Sequence, residues 1–373
     1  MRKTIAILIG FLPDPRMTNR INLEKNIGDL YVICWNKGKN MLQMPKEDGY
    51  KLHVIDIEAG TDPIKRMIPY RKFSKKAGAI LKRIRPDLID VQGLDMLKIA
   101  SDYKRKANKK VSIIYEVADL HRLIVDEQKG LIRKSVRRYL IYEDRKLEKE
   151  YDKLLITSMA FNEKYFVKFV DQNKIFYMPN VPNLSAFKNF KKKSDGPFTI
   201  GFIGSVRYKQ QMKNLIDAAQ KGNFHVLIAG YEENSSEIEE YCKGKKNIEW
   251  VGPFNFHEEV AELYGKCDVI YSVYDADMTN VRVALPNKLY ESVYCQLPLI
   301  VAKNTYLEKT VREWGVGVGV NHHSVENLVE VVKRLQSDKN YYNRLSENCK
   351  NQINKVDLMY YNRLLKEEIL ALL

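Results

Sequence analysis

Short apolar runs alternate with longer amphipathic stretches over almost the whole chain, and no other feature restricts the possible folds so strongly. Residues 4–10, 31–35, 88–91, 111–116 and 153–157 are runs of the strand type. The pattern restarts at 198–204 and continues through 226–230, 248–252, 269–273, 299–302 and 316–320. Strands separated by helices pair in parallel, with helices covering both faces of the sheet. Between the two series lies a polar, Lys-rich, non-periodic stretch at 183–197, which predicts a linker. Residues 1–182 are then one domain and 198–355 a second. A last segment, 356–373, carries Met359, Leu364, Leu365 and Ile369 at helical spacing. A length of 373 residues suffices for two independent cores.

Composition narrows the class further. No apolar run approaches the roughly 18–20 residues of a membrane span. The start, MRKTIAILIGF, imitates a signal peptide, but its apolar run is short and Pro13-Asp14-Pro15-Arg16 stands where a small-residue cleavage site belongs. It reads as a first buried strand. Five cysteines, Cys34, Cys242, Cys267, Cys295 and Cys349, lack CxxC or metal-type spacing, which excludes a disulfide framework and a zinc ribbon and fits a reducing cytoplasm. Net charge is +15, unevenly spread: residues 1–200 hold 41 Lys and Arg against 24 Asp and Glu, whereas residues 201–373 hold 21 against 23. Halves of +17 and −2 imply different partners, one anionic and extended, the other small.

The basic excess is locally concentrated. From Lys65 to Arg85 there are nine basic residues and no acid. Phe73, Ala77, Leu81 and Ile84 fall on one helical face, leaving Lys72, Lys75, Lys76, Lys82 and Arg83 toward solvent. A second basic helix carries Lys129, Arg133, Lys134, Arg137 and Arg138. A charge run is usually a solvated face, but without interleaved acids it calls for a counter-charge. Anionic lipid headgroups or a polyprenyl-diphosphate acceptor supply one, at about 1 kcal/mol per basic residue near such a surface; Tyr70 is a candidate interfacial anchor, and Phe73 reads as core before anchor. No nucleic-acid-binding signature appears, so nucleic acid is not an expected partner, although a basic nucleic-acid-binding module remains the alternative that basicity alone allows.

Chemistry concentrates between Val281 and Ala302, VRVALPNKLYESVYCQLPLIVA. Pro286 fits the first turn of a helix, Leu289, Val293 and Leu297 continue an apolar stripe, and Pro298 follows where a helix stops. Such a helix turns its free N–H groups and positive dipole end toward whatever precedes it, and Lys288 adds a full charge there. Glu291, one turn on, accepts hydrogen bonds only and suits sugar hydroxyls. A Lys and a Glu three apart are as readily a solvated ion pair.

PNKLYESVYCQLPLIVA resembles the signature of family-four glycosyltransferases, which have the GT-B fold of two Rossmann-like doubly wound parallel-sheet domains facing a central cleft. The resemblance implies a nucleotide-diphospho-sugar donor, with UDP-sugars favoured over GDP-sugars, and an acceptor hydroxyl on a lipid-linked or other saccharide, at the cytoplasmic face of the membrane. It implies retention of anomeric configuration, no metal and no other cofactor. Glu291 would hold the ribose and Lys288 the phosphates, with Pro286, Asn287 and Leu289 beside them. GFIGSVRYKQQMKNLIDAA resembles the family's phosphate segment and brings in Gly204, Ser205, Arg207 and Lys209. Gly10, Gly230 and Gly252 end strands, where such sheets approach a ligand. YEVADLH, residues 115–121, resembles the segment that contacts the transferred sugar and makes Glu116, Asp119 and His121 catalytic candidates beside Lys288 and Arg207.

The pattern is broken at defined places. Val283 stands where a second glutamate is usual, Ala118 where a histidine is usual, and Ser205 and Gln210 where an arginine and a lysine are usual. Asp275-Ala276-Asp277 is a DxD, but two acids this close arise by chance in many loops, and no metal is assigned to it. In the same family the terminal helix crosses back onto the first domain. A sugar-nucleotide epimerase shares the fold, but has little use for a first half of +17.

Overall fold

A strand that is apolar at every position has no face to offer water. In β1 (Thr4–Ile9) five successive residues, Ile5 to Ile9, are buried. The same is true of four residues of β8 (Thr199–Ile203) and of all of β11 (Val269–Ser272) and β12 (Leu299–Ala302). Parallel sheets covered on both sides bury strands in this way. The computed structural model describes residues 2–38, 46–60, 65–120, 130–193, 195–232 and 235–373. It divides into two compact units, Met1–Asn180 with Met359–Leu373, and Val181–Leu358.

The first unit is a seven-stranded sheet in the order β3-β2-β1-β4-β5-β6-β7, parallel at every pairing. Its other strands are β2 (Asp29–Asn36), β3 (Lys51–Asp56), β4 (Leu88–Gln92), β5 (Ser112–Val117), β6 (Lys153–Ile156) and β7 (Ile175–Tyr177). Helices α1 (Pro15–Glu24), α2 (Met67–Ile84), α3 (Leu94–Lys106), α4 (Leu131–Lys146) and α5 (Met159–Lys164) connect them. The alternation of apolar runs misses β3 and β7, the two edge strands. His53 interrupts the apolar residues of β3 and β7 is only three residues long, so neither carries an uninterrupted apolar signal.

The second unit repeats the plan with six strands in the order β10-β9-β8-β11-β12-β13, again all parallel. It adds β9 (His225–Ala229), β10 (Ile248–Gly252) and β13 (Gly317–Val320). Its helices are α6 (Lys209–Gly222), α7 (Glu237–Cys242), α8 (Phe256–Gly265), α9 (Thr279–Val283), α10 (Asn287–Tyr294), α11 (Tyr306–Trp314), α12 (Val325–Ser337) and α13 (Lys339–Asn351). In each sheet the winding reverses once, between β1 and β4 and between β8 and β11. At such a switch point the adjoining loops diverge and leave a crevice at the carboxyl ends of the strands.

One stretch behaves differently from its polar appearance, and the terminal segment as its apolar spacing predicts. The expected linker, 183–197, packs on the second unit: Phe187 is buried and meets Tyr264 edge-on at 5.1 Å, with Leu184 and Phe190 against the same cluster. Three apolar residues at a spacing of three carry it there, despite the surrounding lysines. The terminal helix α14 (Leu358–Leu372) packs on the first unit through buried Tyr361, Leu365 and Ile369, leaving Met359 exposed. Lys153 pairs with Glu368 at 2.7 Å, and Ser112 Oγ donates to Leu372 O at 2.8 Å.

The basic surface of the first unit is as the helical spacing predicts, with one correction. Phe73, Ala77 and Leu81 are fully buried, and Lys72, Lys75, Lys76, Lys82 and Arg83 are exposed. Phe73 stacks on Trp35 at 4.7 Å, and Tyr70 donates from its hydroxyl to Asp95 O at 2.9 Å. Phe73 is core, as its helical spacing predicts, and the correction falls on Tyr70, whose hydroxyl is used inside the unit rather than at an interface. Among the described residues, Met67 and Ile68, at the start of α2, and Leu131, Val136, Tyr139 and Tyr142, on α4, are the exposed large apolar side chains in this region. Lys134 and Arg138 are exposed on α4, whereas Lys129 and the side chain of Arg133 lie outside the described residues.

Leu365 is fully buried, so Leu365→Ala is expected to cost the first unit about 2–5 kcal/mol, through lost burial and the cavity left behind. Hydrogen exchange should then speed up in β5 and β6 while second-unit amides keep their protection. Equal loss of protection in both units would contradict the assignment of α14 to the first.

Candidate functional site

The site begins with two glycines. Gly204 follows β8 with φ +133 and Gly230 follows β9 with φ +152, a region that side chains avoid. A Cβ on Gly230 would stand 1.9 Å from Gly204 O. Only glycine lets these strand ends touch. Gly252 completes the arrangement from one strand further out, accepting from Gly230 N at 2.8 Å. On the open side, a Cβ on Gly204 would meet Lys288 Nζ at 2.9 Å, so the ammonium lies directly against the strand end.

Lys288 is put there by α10. Pro286 precedes the helix as an extended N-cap (ψ 156), one position earlier than a first-turn proline, and Asn287 opens it. The helix also ends sooner than its apolar stripe suggests. Gln296 turns left-handed at φ +56, and Leu297 N returns to Ser292 O at 2.9 Å. Leu297 is therefore buried from beyond the helix rather than as part of its stripe. Leu289 and Val293 face the core, which leaves Lys288 and Glu291 on the side toward β8 and β11.

Between them is a pocket of about 400 Å³, placed at the switch point of the second sheet. Gly204, Ser205, Arg207 and Tyr208 line one side; Pro286, Asn287, Lys288 and Glu291 line another. Lys288 is only 9% exposed, yet among the described residues no carboxylate lies within ion-pair distance of it. Its ammonium rests over the Phe202 ring at 4.6 Å and 5.9 Å from the Tyr274 ring. Cation–π contact offsets part of the lost hydration, but a buried cation without a counter-ion is costly and is relieved by a bound anion. The backbone amides at the head of α10 favour the same charge.

Glu291 is buried and differently placed. Tyr264 donates its hydroxyl to Glu291 Oε2 at 2.5 Å, and burial followed by the Glu291 charge holds the phenol well above its ordinary pKa. Tyr264 therefore remains a donor that fixes one carboxylate oxygen, leaving Oε1 for a ligand. Burial pushes the Glu291 carboxyl up, opposed by the Tyr264 bond and by Lys288.

The sequence candidates thus separate. Gly204, Ser205, Arg207, Pro286, Asn287, Lys288 and Glu291 come together in one pocket. Gly230 and Gly252 shape its floor from behind, and Leu289 is core. Lys209 turns away: its ammonium donates to Ser235 Oγ at 2.7 Å and pairs with Glu237 at 2.8 Å. Position 207, two residues earlier, is where the loop still faces the pocket. Sequence reasoning missed Tyr264, Tyr208 and Tyr274, the last two in contact at 5.1 Å. It also missed Ser272 and Asn280, which line the pocket with Ser272 Oγ and Asn280 Oδ1 buried and without hydrogen bonds. Asn280 lies on the short helix that ends at Val283, close to where the resemblance leaves a gap.

In the first unit, Glu116 is 2% exposed and bound by two guanidiniums, Arg16 and, at 3.3 Å, Arg20. Arg20 also holds Asp90 at 2.5 Å. Asp119 is exposed just beyond β5, and Gly10 is half-buried at the end of β1, over Met96. His121 lies outside the described residues.

A family profile, Glycosyl transferases group 1, matches residues 185–352, which is nearly all of the second unit and every residue of its pocket. The match covers just under half of the chain and places the second unit with this family. The succinoglycan biosynthesis protein ExoL of Rhizobium meliloti (strain 1021) is similar to it, 24% identical over 291 residues, covering 71% of this chain and 70% of ExoL. Sucrose-phosphate synthase from Thermosynechococcus elongatus superimposes with a TM-score of 0.74 at 13% identity, over 100% of this chain and 99% of that one. HepE of Anabaena, in complex with UDP, superimposes with a TM-score of 0.72 at 12% identity, over 99% and 100%. At these identities the structures speak for the fold, which is GT-B.

For this group 1 pocket, the raised pKa of Glu291 has a sign that can be tested. A carboxyl raised in the folded state adds stability below its ordinary pKa and loses it as pH rises through the raised value. Glu291→Gln is thus expected to raise the melting temperature of the ligand-free protein at pH 8, with less effect at pH 5. The same change should weaken nucleotide-sugar binding by about 1.5–3 kcal/mol by calorimetry, because the charged acceptor is lost. Unaltered affinity together with a lowered melting temperature would mean that Glu291 is merely structural.

Proposed function

We propose that this protein is an enzyme that transfers a sugar from a nucleotide-diphospho-sugar, preferably a UDP-sugar, to an acceptor hydroxyl of a lipid-linked saccharide. The observation that carries the reading is the buried, unpaired Lys288 ammonium against Gly204, one helical turn from the Glu291 carboxylate. A diphosphate neutralises the first, and ribose hydroxyls donate to the second. Arg207, exposed on the opposite side of the pocket, reaches the same diphosphate. The UDP bound in the HepE complex supports uridine as the base. The name of ExoL supports an acceptor from polysaccharide synthesis.

In this reading the bond between the anomeric carbon and the diphosphate breaks with its electron pair going to the diphosphate, while the acceptor oxygen bonds to the carbon and its hydroxyl proton passes to the departing diphosphate. Charge grows on the leaving group, so Lys288, Arg207 and the amides at the head of α10 do more in the transition state than in the ground state. Retention of configuration and a reaction without metal follow the family resemblance. Asn280 and Ser272 offer unsatisfied acceptors to the sugar, in place of the glutamate that Val283 replaces.

Membrane attachment belongs to the same proposal. Among the described residues no helix is long and apolar enough to cross a membrane. α2 and α4 both attach to α3, through Tyr70 to Asp95 O and through Lys98, which meets Tyr139 at 3.0 Å and Glu143 at 3.0 Å. Their basic and apolar exposed side chains therefore share one region of the first unit. Such a region suits the anionic cytoplasmic leaflet, where a lipid-linked acceptor would be met.

A thermal-shift screen of UDP-, GDP-, CDP- and dTDP-sugars tests the donor, since ligand at about 100 times its dissociation constant adds roughly 2.7 kcal/mol. Lys288→Ala and Arg207→Ala should each depress turnover more than they raise the donor Michaelis constant. A change in the Michaelis constant alone would make them ground-state binders and refute the assigned role. Lys72, Lys75, Lys76, Lys82 and Arg83 changed together to Gln should abolish co-sedimentation with anionic liposomes and leave the nucleotide-induced shift intact. Attraction of this kind is screened over about 8 Å at physiological ionic strength, so wild-type binding should fall steeply with salt. Wild-type protein that ignores such liposomes at low salt would point to a soluble acceptor.

A further inference from the structure

The loop after β11 and the turn after β13 bring together side chains that the donor pocket does not use. Asp277, His322 and His323 hold one carboxylate oxygen and two imidazole nitrogens within 4.8 Å of one another. His323 Nε2 is 3.0 Å from Asp277 Oδ2, and His322 Nε2 is 3.8 Å from the same oxygen. Asp275 Oδ1 lies 3.5 Å from His322 Nε2. The rings are tilted by 40° to each other, with centroids 3.9 Å apart. His322 is 11% exposed, and its Nε2 is buried without a hydrogen bond.

We propose that Asp277, His322 and His323 bind a divalent transition-metal ion of the zinc class, which fastens the loop after β11 to the turn after β13. Two imidazoles and a carboxylate are the donor set of zinc, cobalt or nickel, whereas magnesium and calcium prefer oxygen alone. In a tetrahedral site with bonds near 2.0 Å the ligand atoms stand about 3.3 Å apart, so separations of 3.0 and 3.8 Å need little adjustment. Asp275 stands next to them as a further carboxylate.

Both ligand-bearing segments are fixed independently of any ion. Asn214 Nδ2 donates to His322 O at 3.0 Å, and His323 N donates to Asn321 Oδ1 at 3.0 Å. Arg282 donates to Asp277 O at 3.1 Å, and Asp277 N donates to Asp275 Oδ1 at 3.0 Å. Preorganised ligands lose little freedom on binding. None of the four side chains lines the donor pocket, but α9 begins two residues after Asp277 and contributes Asn280 and Val281 to its wall. The ion would brace that wall and take no part in the transfer. This distinguishes it from a DxD that chelates the donor diphosphate.

The test is titration of EDTA-treated full-length protein with Zn²⁺ by calorimetry and with Co²⁺ by visible d–d absorption. One equivalent should bind, with the absorption of a tetrahedral or five-coordinate site. His323 is exposed, so His323→Ala should melt like wild type without metal, and both it and Asp277→Asn should weaken Zn²⁺ binding by at least about tenfold. Mg²⁺ should produce neither heat nor a thermal shift. Absence of stoichiometric binding, binding that both variants leave untouched, or an equal response to Mg²⁺ would overturn the proposal and leave the imidazoles as simple ion-pair partners of Asp275 and Asp277.

Discussion

The second unit is arranged around one buried charge. Lys288 is held against Gly204 by a helix whose apolar side is locked into the core, and among the described residues no carboxylate comes within ion-pair distance of its ammonium. Removing a cation from water without pairing it opposes folding. The structure tolerates it because Phe202 and Tyr274 present ring faces to the ammonium, and because the surrounding sheet is buried on both sides and supplies ample apolar stabilisation. Around this one group the other features become intelligible. Glycines at the ends of β8 and β9 let the backbone approach it, Tyr264 orients Glu291 within one turn of it, and Arg207 closes the opposite side.

The first unit solves the same problem in the opposite way. At the carboxyl ends of β1, β4 and β5, Arg16 and Arg20 meet Glu116 and Asp90, with Glu24 buried alongside. Burial and then Asp90 push the Glu24 carboxyl well above its usual range, and the two guanidiniums are held by Asp90 and Glu116. Removing one member of such a group leaves a buried charge behind, which is why clusters like this one hold their geometry. Glu116 is consequently a fixed member of a closed network, while the exposed Asp119 beyond it remains free of that constraint.

Much of this was legible in the chain itself. Strands announce themselves by short apolar runs, and eleven of the thirteen strands fall on such runs, edge strands β10 and β13 among them although each buries a single residue. Edge strands β3 and β7 do not, since His53 interrupts the apolar residues of β3 and β7 is only three residues long. PNKLYES located Lys288 and Glu291, because a proline before a short apolar stripe fixes where a helix starts and which residues stand at its head. Tyr264 and Asn280 were not legible. They reach the pocket from segments far from the motif in sequence, and nothing in a tyrosine on an amphipathic helix tells that its hydroxyl ends on a carboxylate. The choice between Arg207 and Lys209 was equally hidden, since it depends on Glu232 and Glu237 capturing the lysine.

Net charge is the most instructive case. The half with +17 holds its cations on solvent-facing helices and, inside, in the balanced network at Arg20, so its excess says something about surfaces and nothing about a buried anion site. The half with −2 contains the buried ammonium that lacks a partner. Summed charge is dominated by exposed side chains, which water and salt screen at small cost. Affinity for a small anion is set instead by one cation whose hydration has been removed and not replaced. An acidic or neutral domain can therefore offer the stronger anion site, through the burial of a single lysine.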